Sequence, residues 1–330
     1  MRAEGLATHG RGAWHDISPI AKMAGMAMTH FTPPNWMFKA FLLLAAAIWG
    51  LGTVVIKDIV YTVSPAWLVG FRFTFAGLIL GAFIFPKLRR RLDASHVRVG
   101  ALLGVILFLE YWLNSLGLTD TTASKSAFLT SCYCVLVPFL GWLFLRRRPT
   151  RFNIMAALVC VVGVGFISLS GSDSLSLGFG DGITLVSALF VALEVITVAR
   201  FAGSHDILVL TCVQFFVSGI LGFGGALVAE PLPDFTHIGL DVWLGLAYLA
   251  AFASCATITL QNTGLAHVEP AQGSLLLATE SVFGTLFAGL FLGESLTVQL
   301  AIGFGLVFAA IVISEYLPQR FGQSSQPRQE

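Results

Sequence analysis

Ten apolar runs, each about as long as a bilayer is thick, leave this chain one place to fold. They extend from Met37 to Ile56, Pro65 to Phe85, Val97 to Leu118, Thr121 to Leu145, Phe152 to Leu169, Gly180 to Ala199, Ile207 to Ala229, Val242 to Leu265, Ala271 to Leu292 and Val298 to Leu317. A hydrocarbon core of ~30 Å takes about 17–25 residues of helix to cross. Only 11% of the 330 residues are charged and 56% are hydrophobic, against about 25% charged in an ordinary soluble domain. The chain lacks the polar surface to solvate a fold of this size. A soluble globular enzyme, a disordered polar chain and a nucleic-acid binder are therefore excluded. The net charge of +1 offers no steering toward anionic partners. The expected class is an all-α polytopic membrane protein with ten transmembrane helices joined by short connections.

Residues 1–35 carry no run of this length, and Met23 to Met28 is too short for a signal-peptide core. That segment reads as a polar, disordered cytoplasmic tail, with Met23, Met26, Met28 and Met37 as alternative starts, and residues 318–330 read as a second tail. Lysine and arginine set the orientation. With the N-terminus inside, sixteen of the nineteen fall on the cytoplasmic side, including Lys87, Arg89, Arg90, Arg91 and Arg98 after the second run and Arg146, Arg147, Arg148 and Arg151 after the fourth. Lys57, Arg72 and Lys125 fall at or within the outer half, and the outer loops carry Asp173, Glu230, Asp234 and Asp241. Both termini are thus expected in the cytoplasm and the chain in the inner membrane, where Lys87 to Arg91 also attract anionic lipid.

The segment Asn114 to Thr150 aligns without a gap on Gln261 to Thr297, at an offset of 147. Gly117-Leu118 falls on Gly264-Leu265, Leu129 on Leu276, Val135 on Val282, Leu143-Phe144-Leu145 on Leu290-Phe291-Leu292, and Asn114 on Gln261. The halves 36–170 and 178–317 then hold five runs each, and an odd number turns the second half upside down in the bilayer. Inverted repeats of this kind recur in secondary transporters, with the substrate site at the repeat interface near the midplane.

The sequence also resembles the drug/metabolite transporter superfamily, EamA type, over nearly all of residues 38–317. The resemblance rests on Ile48-Trp49-Gly50, on Ser64-Pro65 with Phe71-Arg72-Phe73, and on Thr122 to Phe128. In the second half it rests on Gln261 to Leu265, Ala278 to Phe283, and Gly293 to Thr297. Ser281 stands where the family often places proline, and Gln272 where a basic residue is common. The resemblance implies two five-helix repeats and export of small metabolites such as amino acids.

Chemistry is confined to few residues. The five cysteines are odd in number and form no CxxC, so they read as small buried hydrophobes. All seven histidines fall in tails or loops, which speaks against a buried metal or a histidine relay. No nucleotide-binding glycine loop and no GxSxG occurs, so neither a cofactor nor an enzyme is expected. Ionisable groups at membrane depth cost roughly 2.5–3.5 kcal/mol each and must face the bundle interior or water. Glu280 lies about ten residues, or ~15 Å, into the ninth run. It is either a substrate-amine partner or proton carrier, or a structural hydrogen bonder between the eighth and ninth helices. Glu110 shares a helix face with Leu107 and Asn114, beside Tyr111 and Trp112; an ion pair with Arg72 or Lys125 is the favoured reading, with substrate binding as the alternative. Lys125 can snorkel to the outer interface. Arg72 reads as structural, Glu194 as lining the cytoplasmic entrance or reaching the interface, and Asp181 and Glu315 as interfacial.

The expected site is therefore Glu280, Glu110, Asn114, Tyr111, Lys125, Tyr133, Gln261 and Trp49. For an amino acid, Glu280 or Glu110 would take the ammonium group and Lys125 or Asn114 the carboxylate. Three membrane carboxylates permit protons as the coupling ion. The glycine pairs Gly77/Gly81, Gly100/Gly104 and Gly289/Gly293 read as helix contacts within one protomer, and the chain as monomer or homodimer. The alternatives from other classes are a polytopic enzyme acting on lipid and a non-transporting scaffold or sensor; histidines scattered over both faces count against the enzyme.

Overall fold

The computed structural model describes residues 34–146, 148–169, 178–234, 238–293 and 298–321, and among these every regular element is helical. The elements are α1 (Asn35–Ile59), α2 (Pro65–Phe83), the short α3 (Phe85–Arg91), α4 (Ala94–Leu118), α5 (Ala123–Ser131), α6 (Tyr133–Leu145), α7 (Arg151–Leu169), α8 (Phe179–Phe201) and α9 (Ile207–Ala229). They continue with α10 (Leu240–Tyr248), a π-helical segment (Leu249–Ala256), α11 (Thr257–Leu265), α12 (Pro270–Leu277), α13 (Glu280–Leu292) and α14 (Val298–Phe321). Residues 1–33 and 322–330 of the expected tails, Asp173, Arg147, residues 294–297 of the Gly293 to Thr297 signature and the Glu315 side chain lie outside what is described.

Each apolar run falls on helix. Among the described residues eight helical stretches are long and apolar enough to cross a membrane, while the described apolar parts of α7 and α14, Arg151–Gly163 and Ala301–Ala310, are shorter. The lengths thus support eight of the ten expected spans outright. Hydrocarbon-facing surface is plain: Phe83, Leu143, Leu290 and Phe308 are 83%, 70%, 72% and 68% exposed. Side chains of this kind fit a lipid solvent and not water.

The ends of the helices show how the chain turns back at the interface. Pro65 opens α2, where its missing N–H costs nothing, and the next two N–H groups, of Ala66 and Trp67, are taken by the Glu230 carboxylate at 2.9–3.3 Å. Asp93 caps α4 through His96 N, Thr122 caps α5 through Lys125 N and Asp206 caps α9 through Leu208 N. Asp181 accepts from Thr121 Oγ1 (2.5 Å) and Gly178 N (3.1 Å). Asp181 does stand at the end of its helix, but it is 4% exposed and a buried cap, not a solvated interfacial charge. At the opposite end of the bundle Asp206 pairs with Lys87 (2.9 Å) and Arg91 (3.4 Å).

Packing follows the small residues. α7 packs on α14, α9 on α2 and α4, α4 on α8, and α13 on α1. A Cβ at Gly100 or Gly104 would overlap Val213 or Val217 of α9, and one at Gly77 or Gly81 would touch Phe216 or Cys212 of the same helix. Both pairs are contacts within the chain, as expected. Gly293 is not: with φ 71° it is the left-handed C-cap of α13 and faces open space. Gly50 of α1 also packs closely against Gly284 of α13, where a Cβ on Gly50 would sit 2.6 Å from Gly284 N.

Gly50→Leu should therefore force α1 and α13 apart, an overpacking cost of about 1–3 kcal/mol. Thermal unfolding in detergent should show a midpoint several degrees lower, whereas Gly182→Ala, which meets nothing within 4 Å, should leave it unchanged or raise it. A second expectation concerns Asp93. Its bonds to the His96 N–H and ring hold its carboxyl below the usual value of 3.8. A carboxyl depressed in the folded state stabilises above its unfolded value and loses that contribution as pH falls through the folded one. The gap in midpoint between wild type and Asp93→Asn should hold above about pH 5 and narrow as pH falls further; a constant gap would contradict the assignment.

Candidate functional site

Three irregularities in otherwise regular helices converge on one place. The fourth run breaks at Cys132, between α5 and α6, and the ninth breaks at Ala278-Thr279, between α12 and α13. The restarts, Tyr133 and Glu280, lie 147 positions apart, the offset at which the two segments align. The breaks touch: Ser131 Oγ donates to Ala278 O at 3.3 Å, again 147 positions apart. The third irregularity is the π segment. There the Thr257 N–H bonds Phe252 O, five residues back, rather than Ala253 O, four back. Ala253 O instead accepts the Trp49 indole N–H at 2.9 Å and an Arg72 guanidinium N–H at 3.4 Å. Local π-helix of this kind is rare and concentrates at functional sites.

Between these irregularities lies a narrow cavity of about 40 Å³, lined by Trp49, Gly52, Thr53, Ile56, Arg72, Glu110, Tyr111, Asn114, Thr130, Tyr133, Val191 and Glu280. The walls come from both halves of the chain. Arg72 is 1% exposed and tightly tethered: Nε donates to Ser254 Oγ at 2.7 Å and the guanidinium lies 4.4 Å over the Tyr111 ring. Its Nη1 is buried without a partner, as is the Tyr133 hydroxyl. Glu280 Oε1 accepts from Thr53 Oγ1 at 3.5 Å. Asn114 Nδ2 donates to Thr130 Oγ1 at 2.8 Å.

Six of the expected residues, Glu280, Glu110, Asn114, Tyr111, Tyr133 and Trp49, meet at this cavity. Two do not line it. Lys125 opens α5 at the end of the bundle, where its Nζ lies 3.8 Å from Asp181 Oδ2 in a polar mouth shared with Lys57, Tyr61 and Asp120. Gln261 sits behind the wall and donates to Glu194 Oε2 at 3.2 Å.

Several readings of single charges need correction. Glu110 pairs with neither Arg72 nor Lys125. Lys125 stands too near the bundle end, Arg72 is drawn to Ser254 and Ala253 by the π segment, and Glu110 instead meets the Glu194 carboxyl in hydrogen-bonding contact. Glu194 neither lines an entrance nor reaches an interface. It is 1% exposed and accepts from the Gln214 and Gln261 amides. The structural partner of Glu280 is Thr53 on α1, not the eighth helix. Arg72 is held as firmly as a structural residue would be, yet it is the cation of the cavity. Its position at membrane depth was the available signal; nothing in the sequence showed that one nitrogen would be left free. Thr53, Thr130, Val191 and Ser254 carried no signal of their own.

Comparison with known proteins decides the family. The profile of the EamA-like transporter family matches residues 37–169 and again 178–316. The chain belongs to the EamA-like transporter family. An uncharacterized transporter of Archaeoglobus fulgidus is 30% identical over 276 residues, covering 82% of this chain and 83% of its own. A protein of Chlamydia muridarum named as an S-adenosylmethionine/S-adenosylhomocysteine transporter is 23% identical over 312 residues, 90% of this chain and 97% of its own. One crystal structure shares the fold with a TM-score of 0.69 at 16% identity, over 86% of this chain and 97% of the other. This EamA-like chain is accordingly a multi-pass membrane transporter.

The tether of Arg72 is testable by a double-mutant cycle with Arg72→Met and Ser254→Ala. A hydrogen bond to a charged group is worth about 1.5–3 kcal/mol, so the two changes should be non-additive by at least ~1 kcal/mol in unfolding experiments in micelles. Additive effects would show that the bond contributes nothing.

Proposed function

We propose that the chain is a secondary transporter that exports a small organic metabolite such as an amino acid across the inner membrane. It works by alternating access, rocking one inverted five-helix repeat, 36–170, against the other, 178–317, with both termini in the cytoplasm. The double match to the family profile supports the two repeats, as do the helix breaks 147 positions apart. Interrupted helices at corresponding positions of two halves mark the binding site in inverted-repeat transporters. The clustering of Lys87, Arg89, Arg90, Arg91 and Arg98 at one end of the bundle supports the orientation.

The observation that carries the substrate class is one cavity bearing a guanidinium with a free Nη1, two carboxyl groups and aromatic walls. An amino acid fills each role. Its carboxylate completes Arg72, which takes the part first given to Lys125, with Asn114 beside it. Its ammonium group is received by Glu280 or Glu110, and its side chain by Trp49, Tyr111 and Tyr133. The compounds named for the Chlamydia muridarum relative carry an amino-acid end of the same chemistry. A lipid-modifying enzyme or a silent scaffold has no comparable use for such a cavity.

Counterflow in proteoliposomes over a panel of amino acids plus S-adenosylmethionine tests this. At least one compound should exchange saturably, and Glu280→Gln should slow that exchange tenfold or more while the protein keeps its thermal midpoint. Wild-type exchange by the variant would remove Glu280 from the role, and no exchange with any compound would overturn the reading.

A further inference from the structure

The transport cavity has a second polar layer behind it that substrate binding alone does not require. Glu110 is 6% exposed and Glu194 1% exposed, and their carboxyl groups are in contact across the α4–α8 interface. The two residues differ in what surrounds them. Glu194 accepts on both oxygens, from Gln214 Nε2 on Oε1 and from Gln261 Nε2 on Oε2. The amide orientation of Gln214 is itself set by Asn262, whose Nδ2 donates to Gln214 Oε1 at 3.1 Å and to Thr211 Oγ1 at 2.9 Å. Glu194 is therefore built to be the acceptor of the pair. Glu110 Oε2, by contrast, is buried and meets no N–H or O–H donor.

A buried carboxylate oxygen without a donor, facing a second carboxylate, would be uncompensated; two carboxyl groups in contact cannot both ionise at ordinary cost. If Glu110 carries the proton and donates it to Glu194, both anomalies disappear. The other groups that face the pair fit this count. Arg72 of α2 supplies one positive charge, Tyr111 and Tyr133 are phenols, and Glu280 of α13 looks in from the other side of the cavity. α9 and α11 contribute only the neutral amides Gln214, Gln261 and Asn262, α5 contributes Ser126 and Thr130, and α1 contributes Thr53. With one proton, the pair carries a single negative charge and Glu280 brings a second, against the one positive charge of Arg72; with both members of the pair ionised the count would be three against one.

We propose that Glu110 and Glu194 form a one-proton site that couples substrate movement to protons, with Glu110, the member that lines the cavity, giving up its proton when a substrate's ammonium group binds against it. The exchange is balanced: the O–H bond of Glu110 breaks, the proton leaves through the cavity water, and the ammonium charge replaces it beside the now doubly ionised pair. One ammonium group enters the site as one proton leaves, which is antiport. Glu194, held by two amides, is the positioning residue, and Glu110 is the group that touches both proton and substrate. The proposal rests on the transport reading above for its substrate, but not for its proton.

Two measurements separate them. Infrared difference spectroscopy on the purified protein, in the Glu280→Gln background, should show the carbonyl stretch of a protonated, unhydrated carboxylic acid at neutral pH. The band should vanish with Glu110→Gln and shift in position with Glu194→Gln. Absence of the band in the parent protein, or its persistence in Glu110→Gln, overturns the shared proton whether or not transport is ever seen. The second measurement is flux of whichever panel compound exchanges, with and without an imposed pH gradient. In wild type the gradient should drive net flux at least tenfold above the no-gradient control, and in Glu194→Gln that ratio should fall toward one. Exchange without any response to the gradient in wild type overturns the coupling and leaves the transport reading standing. An unchanged ratio in Glu194→Gln overturns the assignment of the coupling to this pair. Proton binding without exchange of any compound removes the transport reading and the coupling with it.

Discussion

A hydrocarbon solvent offers no hydrogen bonds, and the rest of this structure depends on that. Every polar group placed at membrane depth must find its partner inside the protein. The buried guanidinium of Arg72 is such a group, and its surroundings are arranged around it. Ser254 accepts from Nε, the Tyr111 ring lies under the plane, and a carbonyl of the π segment turns toward it. A straight α-helix over 249–256 would have no reason to leave Ala253 O open to side chains. The irregular backbone is thus the means by which a fixed positive charge is kept in the bundle core.

The same reasoning explains the two helix breaks. Each ends one short helix and begins another at the cavity wall, at Tyr133 and at Glu280. The N–H groups of the restarting turns find backbone partners three or four residues back, Val135 at Cys132 O, Ser281 at Ala278 O, and Val282 and Phe283 at Thr279 O, as a hydrocarbon solvent requires. The second break also brings an ionisable side chain, Glu280, to the cavity wall. The contact between the breaks through Ser131 and Ala278 places them side by side, so one cavity draws its walls from both halves of the chain.

Much of this was legible in the sequence, and the limits have physical reasons. Apolar run length is imposed by the bilayer, so the helices of Ile207–Ala229 and Pro65–Phe83 began where the runs began. Depth along a helix is simple arithmetic, so Glu280, Glu110, Asn114 and Tyr111 were all placed near the cavity they line. Azimuth was not legible. Glu194 and Gln261 needed the rotation of two helices about their axes before their mutual contact could be known, and all-round hydrophobic helices carry no amphipathic stripe to report it. Partner choice was hidden for the same reason. Arg72 and Glu110 share a depth, yet Arg72 is claimed by a π segment that no pattern of residue types announces. Lys125 reads in the sequence both as snorkelling from the start of its helix and as a substrate contact; the helix starts at Ala123 and leaves the long side chain at the mouth with Asp181, which fits the first reading and not the second.

What remains unpaired in the cavity bears on selectivity. Arg72 Nη1 and the Tyr133 hydroxyl are buried without partners, and an unsatisfied buried polar atom costs about 1–3 kcal/mol, more when charged. On the function proposed above, a ligand of the right chemistry would offset that cost. A ligand that supplies an oxygen to Nη1 recovers it, and one that lacks such an oxygen does not. Sites built to hydrogen-bond a substrate reject analogues lacking the group far more strongly than apolar pockets reject a missing methylene. On that same function, a cavity with this inventory would discriminate by charge pattern first and by side-chain shape second, because the aromatic walls of Trp49, Tyr111 and Tyr133 would accept many apolar outlines while the guanidinium would accept only an anionic or strongly polar one. Breadth of side chain with strictness at the charged end is the selectivity that proposal implies.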